Sequence, residues 1–242
     1  MKKKIECELM DMKMLLRAVP STTMVLFCVS VVLMNLLANK EIHTGVSWLA
    51  LDCGLLLSWV SFLCMDIMTK RFGPKAAVKL SLFAIFINLC VCSVLKTVSL
   101  VPGNWGAFYT FDDSIVNEVL NETIGGTWYV LLGSTVAMVV ASVVNAVLNH
   151  TVGSMFKKDT FTAYAVRSYV STMFAQFVDN MVFSLMVSHV FFGWSLIQCV
   201  TCSVAGCLLE LVCEVIFSPI GYRVCKRWER DRVGAGYVEV PR

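Results

Sequence analysis

The chain has 242 residues, of which 57% are hydrophobic and only 15% charged, with a formal net charge of +3. Its mean hydropathy is +0.73. A soluble domain of this length could not hide that much apolar surface, so composition excludes a soluble globular protein and points to a polytopic membrane protein.

The first 20 residues read as a charged cytoplasmic tail. "MKKK" looks like the start of a signal peptide, but Glu6, Glu8 and Asp11 interrupt it, and an apolar run begins only near Ser21. Six apolar runs then follow, each near the ~20 residues that a helix needs to cross the hydrocarbon. They cover residues 21–38, 48–69, 78–98, 127–149, 163–188 and 195–222. The expected architecture is an all-α membrane domain of six helices over 21–222, closed by a basic cytoplasmic tail over 223–242.

Lysine and arginine set the orientation. The first tail, the connections after spans two and four, and the last tail hold 17 of the 20 basic residues. The positive-inside rule makes that side cytoplasmic, so both termini are expected inside. The other side carries Glu41, Asp112, Asp113, Glu118 and Glu122, and the tryptophans Trp48, Trp105, Trp128 and Trp194 fall near the outer interface. Trp59 alone falls mid-span, where it either packs or stacks on a planar ligand. The longest connection, 99–126, has turn residues at both ends and a short helix expected over 111–120, as an ordinary surface loop or a lid.

Span five breaks the apolar pattern. "RSYVSTMFAQFVDNMVFSLMVSH" carries Arg167, Ser168, Gln176, Asp179 and Asn180. At 100° per residue, Arg167, Ser168, Ser171, Thr172, Gln176, Asp179 and Asn180 make one stripe, opposite Val170, Met173, Phe174 and Phe177. Span six repeats the pattern with Ser203, Cys207, Glu210, Glu214 and Ser218, and Pro219 is expected to break that helix near its cytoplasmic end. Span two carries Asp52 and Asp66, fourteen residues and ~21 Å apart on a helix, too far to share one site. Span one ends with Asn35 and Asn39, span four with Asn145.

A charge at the bilayer centre costs about 2.5–3.5 kcal/mol. Arg167, Asp179, Glu210 and Glu214, if central and unpaired, would together cost on the order of 10 kcal/mol by that scale, comparable to a whole domain's stability. Two readings meet that cost. Charge pairs, Arg167 with a carboxylate for instance, and amide hydrogen bonds could knit the helices together. Alternatively, a polar cavity binds a solute. Four spans each contribute polar groups, which favours the cavity. An intramembrane enzyme using Glu210 and Glu214 is a further alternative. The chain has no P-loop, HExxH or GxSxG, and no cofactor or metal is expected. Cys199 and Cys202 form a CxxC with no second pair and read as small packing residues.

Three segments carry a family likeness. "NLLANK" with "LDCGLLLSWVSFLCMDIMTKRFGPKAA", then "YAVRSYVSTMFAQFVDNMVF", then "ELVCEVIFSPIGYRVCKRW" resemble the queuosine precursor transporter family, also called the vitamin uptake transporter family, over roughly residues 31–228. The resemblance implies a six-helix importer of deazapurine bases such as preQ0, preQ1 or queuine. It also implies a fold similar to the substrate-binding subunits of energy-coupling-factor transporters. Partners would be that small molecule, the lipid bilayer and, if the chain is such a subunit, an ATPase module. No nucleic-acid partner is expected. Carried over position by position, the implied site is Asn35, Asn39, Asp66, Arg167, Ser168, Gln176, Asp179, Asn180 and Glu214, with Glu210 beside it. Two positions depart from the family pattern: Lys70 stands where an acidic residue is common, and Glu210 where a lysine often precedes the closing glutamate.

Overall fold

A computed structural model describes residues 2–106, 114–154 and 160–239. The chain is almost entirely helical. Helix α1 (Lys2–Ala18) is followed by α2 (Ser21–Leu37), a two-stranded hairpin of β1 (Glu41–Ile42) and β2 (Leu51–Asp52), α3 (Leu55–Phe72) and α4 (Pro74–Ser99). Then come α5 (Ser114–Gly126), α6 (Trp128–Ser154), α7 (Phe161–Phe183) with a π-helical turn (Ser184–Ser188), α8 (His189–Phe191), α9 (Leu196–Arg230) and α10 (Ala235–Val238).

Four stretches are long and apolar enough to cross a membrane: Pro74–Ser99, Ile115–Asn145, Ala165–Phe191 and Leu196–Arg230. Glu6–Ala18 and Ser21–Leu37, bent by 108° between them, make a fifth if counted as one broken span. Helix α3 does not qualify, because Asp66, Lys70 and Arg71 crowd its 18 residues. The outer surface of the bundle is apolar. Val25, Leu26, Val29, Leu82, Phe86, Val204, Leu208, Val212 and Ile216 are all exposed, as suits contact with lipid chains.

The second run differs most from its expected bounds. The helix begins at Leu55 rather than 48, because 41–52 folds back as an antiparallel hairpin pairing Glu41 with Asp52 and Ile42 with Leu51. Helix α9 ties this hairpin down from one side: Thr201 Oγ1 donates to the Trp48 carbonyl at 2.7 Å, and Gln198 Nε2 to Ser47 O at 3.1 Å. At the opposite end of α9 the expected break is absent. The helix runs straight through Pro219 to Arg230. Proline leaves the carbonyl four residues back without its usual donor, and the Ser218 hydroxyl fills that role by donating to Val215 O at 3.3 Å.

The terminal segments are packed rather than trailing. Lys79 on α4 pairs with Glu8 at 2.6 Å and Asp11 at 2.7 Å on α1. Tyr237 on α10 donates to the same Asp11 carboxylate at 3.3 Å and sets its ring edge-on to Phe72. Arg71 Nε donates to Val233 O at 2.8 Å, and Gly234, at φ +65°, sits where any Cβ would meet the Phe72 ring. These elements close one end of the bundle; the hairpin closes the other. Within the long connection a helix covers Ser114–Gly126, overlapping the expected 111–120 from residue 114 on, while 111–113 lie outside the described residues. Trp105 is tied to this helix, the backbone N–H donating to Asn117 Oδ1 at 2.9 Å and the ring Nε1 to Asn121 Oδ1 at 3.0 Å. Asp112, Asp113, Lys157 and Lys158 lie outside the described residues.

Candidate functional site

The stripe read along span five does face inward. Ser171, Thr172, Ala175 and Gln176 are buried, whereas Phe174 on the opposite face is 50% exposed. On α9, Ser203, Gly206, Cys207, Glu210, Glu214 and Ser218 are all buried, whereas Val204, Leu208, Val212 and Ile216 between them are exposed. The two helices approach closely at Gly206, where a Cβ would lie 2.7 Å from Asn180 Nδ2. Because that space is kept, Asn180 reaches across and donates to Glu210 Oε2 at 3.3 Å. On α3 the Ser58 hydroxyl donates within its own helix, to Leu55 O at 3.1 Å.

Beside this junction lie two adjoining cavities of about 10 and 30 Å3, room for a water molecule or two. The smaller is lined by Ser61, Phe62 and Met65 of α3, Ser134, Met138 and Ser142 of α6, Met34 of α2 and Asp179 of α7. The larger lies toward the hairpin, between Asn35, Asp52, Ser58, Ser134, Asp179, Asn180 and Phe183. Asp179 faces both. Asp52 is held by the hairpin, its Oδ1 accepting from Gly54 N at 2.7 Å. Asn35 is 2% exposed and its Nδ2 has no hydrogen-bond partner. Gln176, 1% exposed, has no partner at either amide atom. An amide buried without partners costs about 1–3 kcal/mol per unmade hydrogen bond, so it marks a place where a ligand or water is expected to complete the set.

The implied site residues therefore divide. Asn35, Asp179, Asn180 and Glu210 come together near the hairpin. Asn39 sits just above them as part of a cover: its Nδ2 donates to Thr127 Oγ1 at 3.3 Å, and its Oδ1 accepts from Tyr129 OH at 3.5 Å. Tyr129 in turn stacks on Phe191 at 4.4 Å. Asp66 is elsewhere, eight residues and about 12 Å below Ser58 on α3, where its Oδ2 accepts from Thr172 Oγ1 at 3.2 Å. Glu214 is buried one turn below Glu210. Arg167 stands twelve residues before Asp179, about 18 Å along the helix, and its buried Nε has no hydrogen-bond partner. The Ser168 side chain lies outside what the structure describes.

Five polar lining residues are not among the implied site residues: Asp52, Ser58, Ser61, Ser134 and Ser142. Asp52 was set apart from Asp66 on helical geometry. That separation holds, but Asp52 belongs to the hairpin and joins Asp179. Ser58 with Ser61, and Ser134 with Ser142, bring in α3 and α6. Their spacings of three and eight place each pair on one helix face, and that was the legible signal. Trp59 resolves as packing, stacked on Phe217 with centroids 4.3 Å apart. Cys199 and Cys202 are both buried with Ala50 and Trp194. Among the described residues, no group of three or more His, Cys, Asp or Glu side chains could hold a metal.

No curated protein and no solved structure matches the chain. A family model does, over residues 52–224, more than two thirds of the chain and all of the spans that build the cavity except α2. Taken with the apolar helices and their buried polar faces, that match shows that the chain belongs to the vitamin uptake transporter family.

Proposed function

We propose that the chain imports a queuosine precursor, a 7-deazapurine base such as preQ0, preQ1 or queuine, through a six-span membrane domain with both termini cytoplasmic. The observation that carries this reading is the buried Asn35 amide, whose Nδ2 has no hydrogen-bond partner and which lines a cavity with Asp179 and Asn180; Gln176, one turn before Asn180 on α7, is likewise buried with both amide atoms open. A deazaguanine base offers a carbonyl, a ring N–H and an amino group along one edge. Amides match the carbonyl, and a carboxylate accepts from the N–H and NH2 together. The family likeness of the three segments points to the same ligand class. The cavities are narrower than a heterocycle, so uptake requires α6 and α7 to part. The π-helical turn beside Phe183 is where that motion is expected to start.

The test is rescue. A bacterium unable to make or import queuosine precursors receives the chain and is fed each base at nanomolar level, and queuosine is read in its tRNA. Rescue by any of the bases supports the reading. Failure with all three, with folded protein in the membrane, overturns it in favour of another heterocycle or vitamin.

A further inference from the structure

Two carboxylates, Asp52 and Asp179, line the larger cavity, and no lysine, arginine or histidine is among the described residues around it. They come from different elements, the hairpin and α7, so their meeting is not a by-product of one helix's sequence. The other polar groups facing them are Asn35 from α2, Ser58 from α3, Ser134 from α6 and Asn180 from α7. Asn180 is committed to Glu210. Asn35 is not committed: its Nδ2 is buried, faces the cavity and has no partner. The cavity therefore presents acceptors from two sides and one spare N–H donor. Its size, about 30 Å3, suits a single ammonium-sized group. Two carboxylates facing one small cavity repel each other unless one is protonated or a positive charge stands between them.

We propose that this cavity is a cation subsite in which Asp52 and Asp179 hold a protonated primary amine carried by the transported solute, while Asn35 donates to an acceptor on the adjoining ring. The assignment rests on the transport reading above and narrows it: the chain takes an amine-bearing base in preference to a neutral one. The hairpin is then part of the binding site as well as a connection between helices. Asp52 is its selective residue, because α7 would supply Asp179 whether or not the hairpin folded back.

The test uses the full chain purified in lipid nanodiscs, with preQ1 and preQ0 as probes. The first bears an aminomethyl group where the second bears a neutral nitrile. Calorimetry should show preQ1 bound more tightly by roughly ten- to a hundredfold, the range for a hydrogen bond to a charged group. D52N should bring that ratio towards one. Asparagine keeps an oxygen for the Gly54 N–H, so the hairpin has no reason to unfold. Equal affinities in the unaltered chain, or a preference for preQ1 that survives in both D52N and D179N, overturn the subsite and leave transport standing. If neither base binds, the deazapurine reading fails on its own, and methylammonium decides the subsite. Stabilisation against heat by methylammonium over tetramethylammonium at equal ionic strength, lost in D52N, upholds it. No such difference, or one that D52N retains, overturns it. Sodium stabilising as well as methylammonium would overturn the amine and leave an inorganic cation as the occupant.

Discussion

Near the hairpin, Asp52, Asp179 and Asn35 face a cavity; two turns further along α7, Thr172 and Asp66 hold each other at 3.2 Å. Both regions are polar, buried and built from α3 and α7, yet they use their groups differently. In the lower region a hydroxyl donates directly to a carboxylate, and Tyr169 and Ser218 meet at 2.7 Å to join α7 to α9. In the upper region the groups lie around a space. The comparison separates the two ways a membrane bundle can keep polar residues, as cross-links between helices and as the wall of a compartment. Residue type alone does not distinguish them, since an aspartate serves in each.

The comparison can be broken by mutation, and the largest effect is expected in the upper region. Asp179→Asn should cut uptake on the order of ten- to a hundredfold while the protein stays folded, since one charged hydrogen-bond acceptor contributes about that factor. Uptake of labelled base with the protein quantified in the membrane checks it. Next comes the junction. Glu210→Ala strands the Asn180 amide, and a melting experiment in nanodiscs should show a loss of about 1–3 kcal/mol. Glu210→Gln keeps an acceptor and should recover most of it. Gly206→Ala drives a Cβ into Asn180 and is expected to cost about 1–3 kcal/mol, as overpacking does, with uptake falling alongside. A Gly206→Ala protein with unchanged uptake would show that the Asn180 position is not needed.

The lower region predicts the reverse pattern. Thr172→Val removes the donor to Asp66 and should lower stability by about 0.5–1.5 kcal/mol, with uptake altered less than twofold. If uptake collapses instead, the division between the regions fails and Asp66 returns to the site. The smallest expected change is Trp59→Leu. Losing the stack on Phe217 should cost about 0.5–1.5 kcal/mol, and substrate affinity should not move, because the ring is spent on packing.

Much of this was legible from periodicity. The inward stripe on α7 and its counterpart on α9 follow from 3.6-residue spacing and hold from Ser171 to Gln176 and from Ser203 to Ser218. Periodicity stops being informative where the backbone leaves the α-helix. The π-helical turn at Ser184–Ser188 inserts about one residue into the register, so the projection that places Asp179 does not extend to His189 or Phe191. The hairpin hides Asp52 for a related reason: residues 48–54 are apolar enough to read as helix, and only pairing between 41–42 and 51–52 makes them a strand. Pro219 misled in the opposite direction, because the hydroxyl that replaces the missing hydrogen bond sits next to it in sequence and carries no signal of its own.

The contact between Asp11 and Tyr237 joins residues 226 positions apart. During synthesis, α1 emerges first and must wait for nearly the whole chain before its last partner exists. Lys79, by contrast, is made early enough to hold Asp11 and Glu8 before then. The end of the bundle that α1 and α10 close is thus the last part to be finished, and a ribosome stalled before residue 237 would leave a protein with its helices inserted and that end still open.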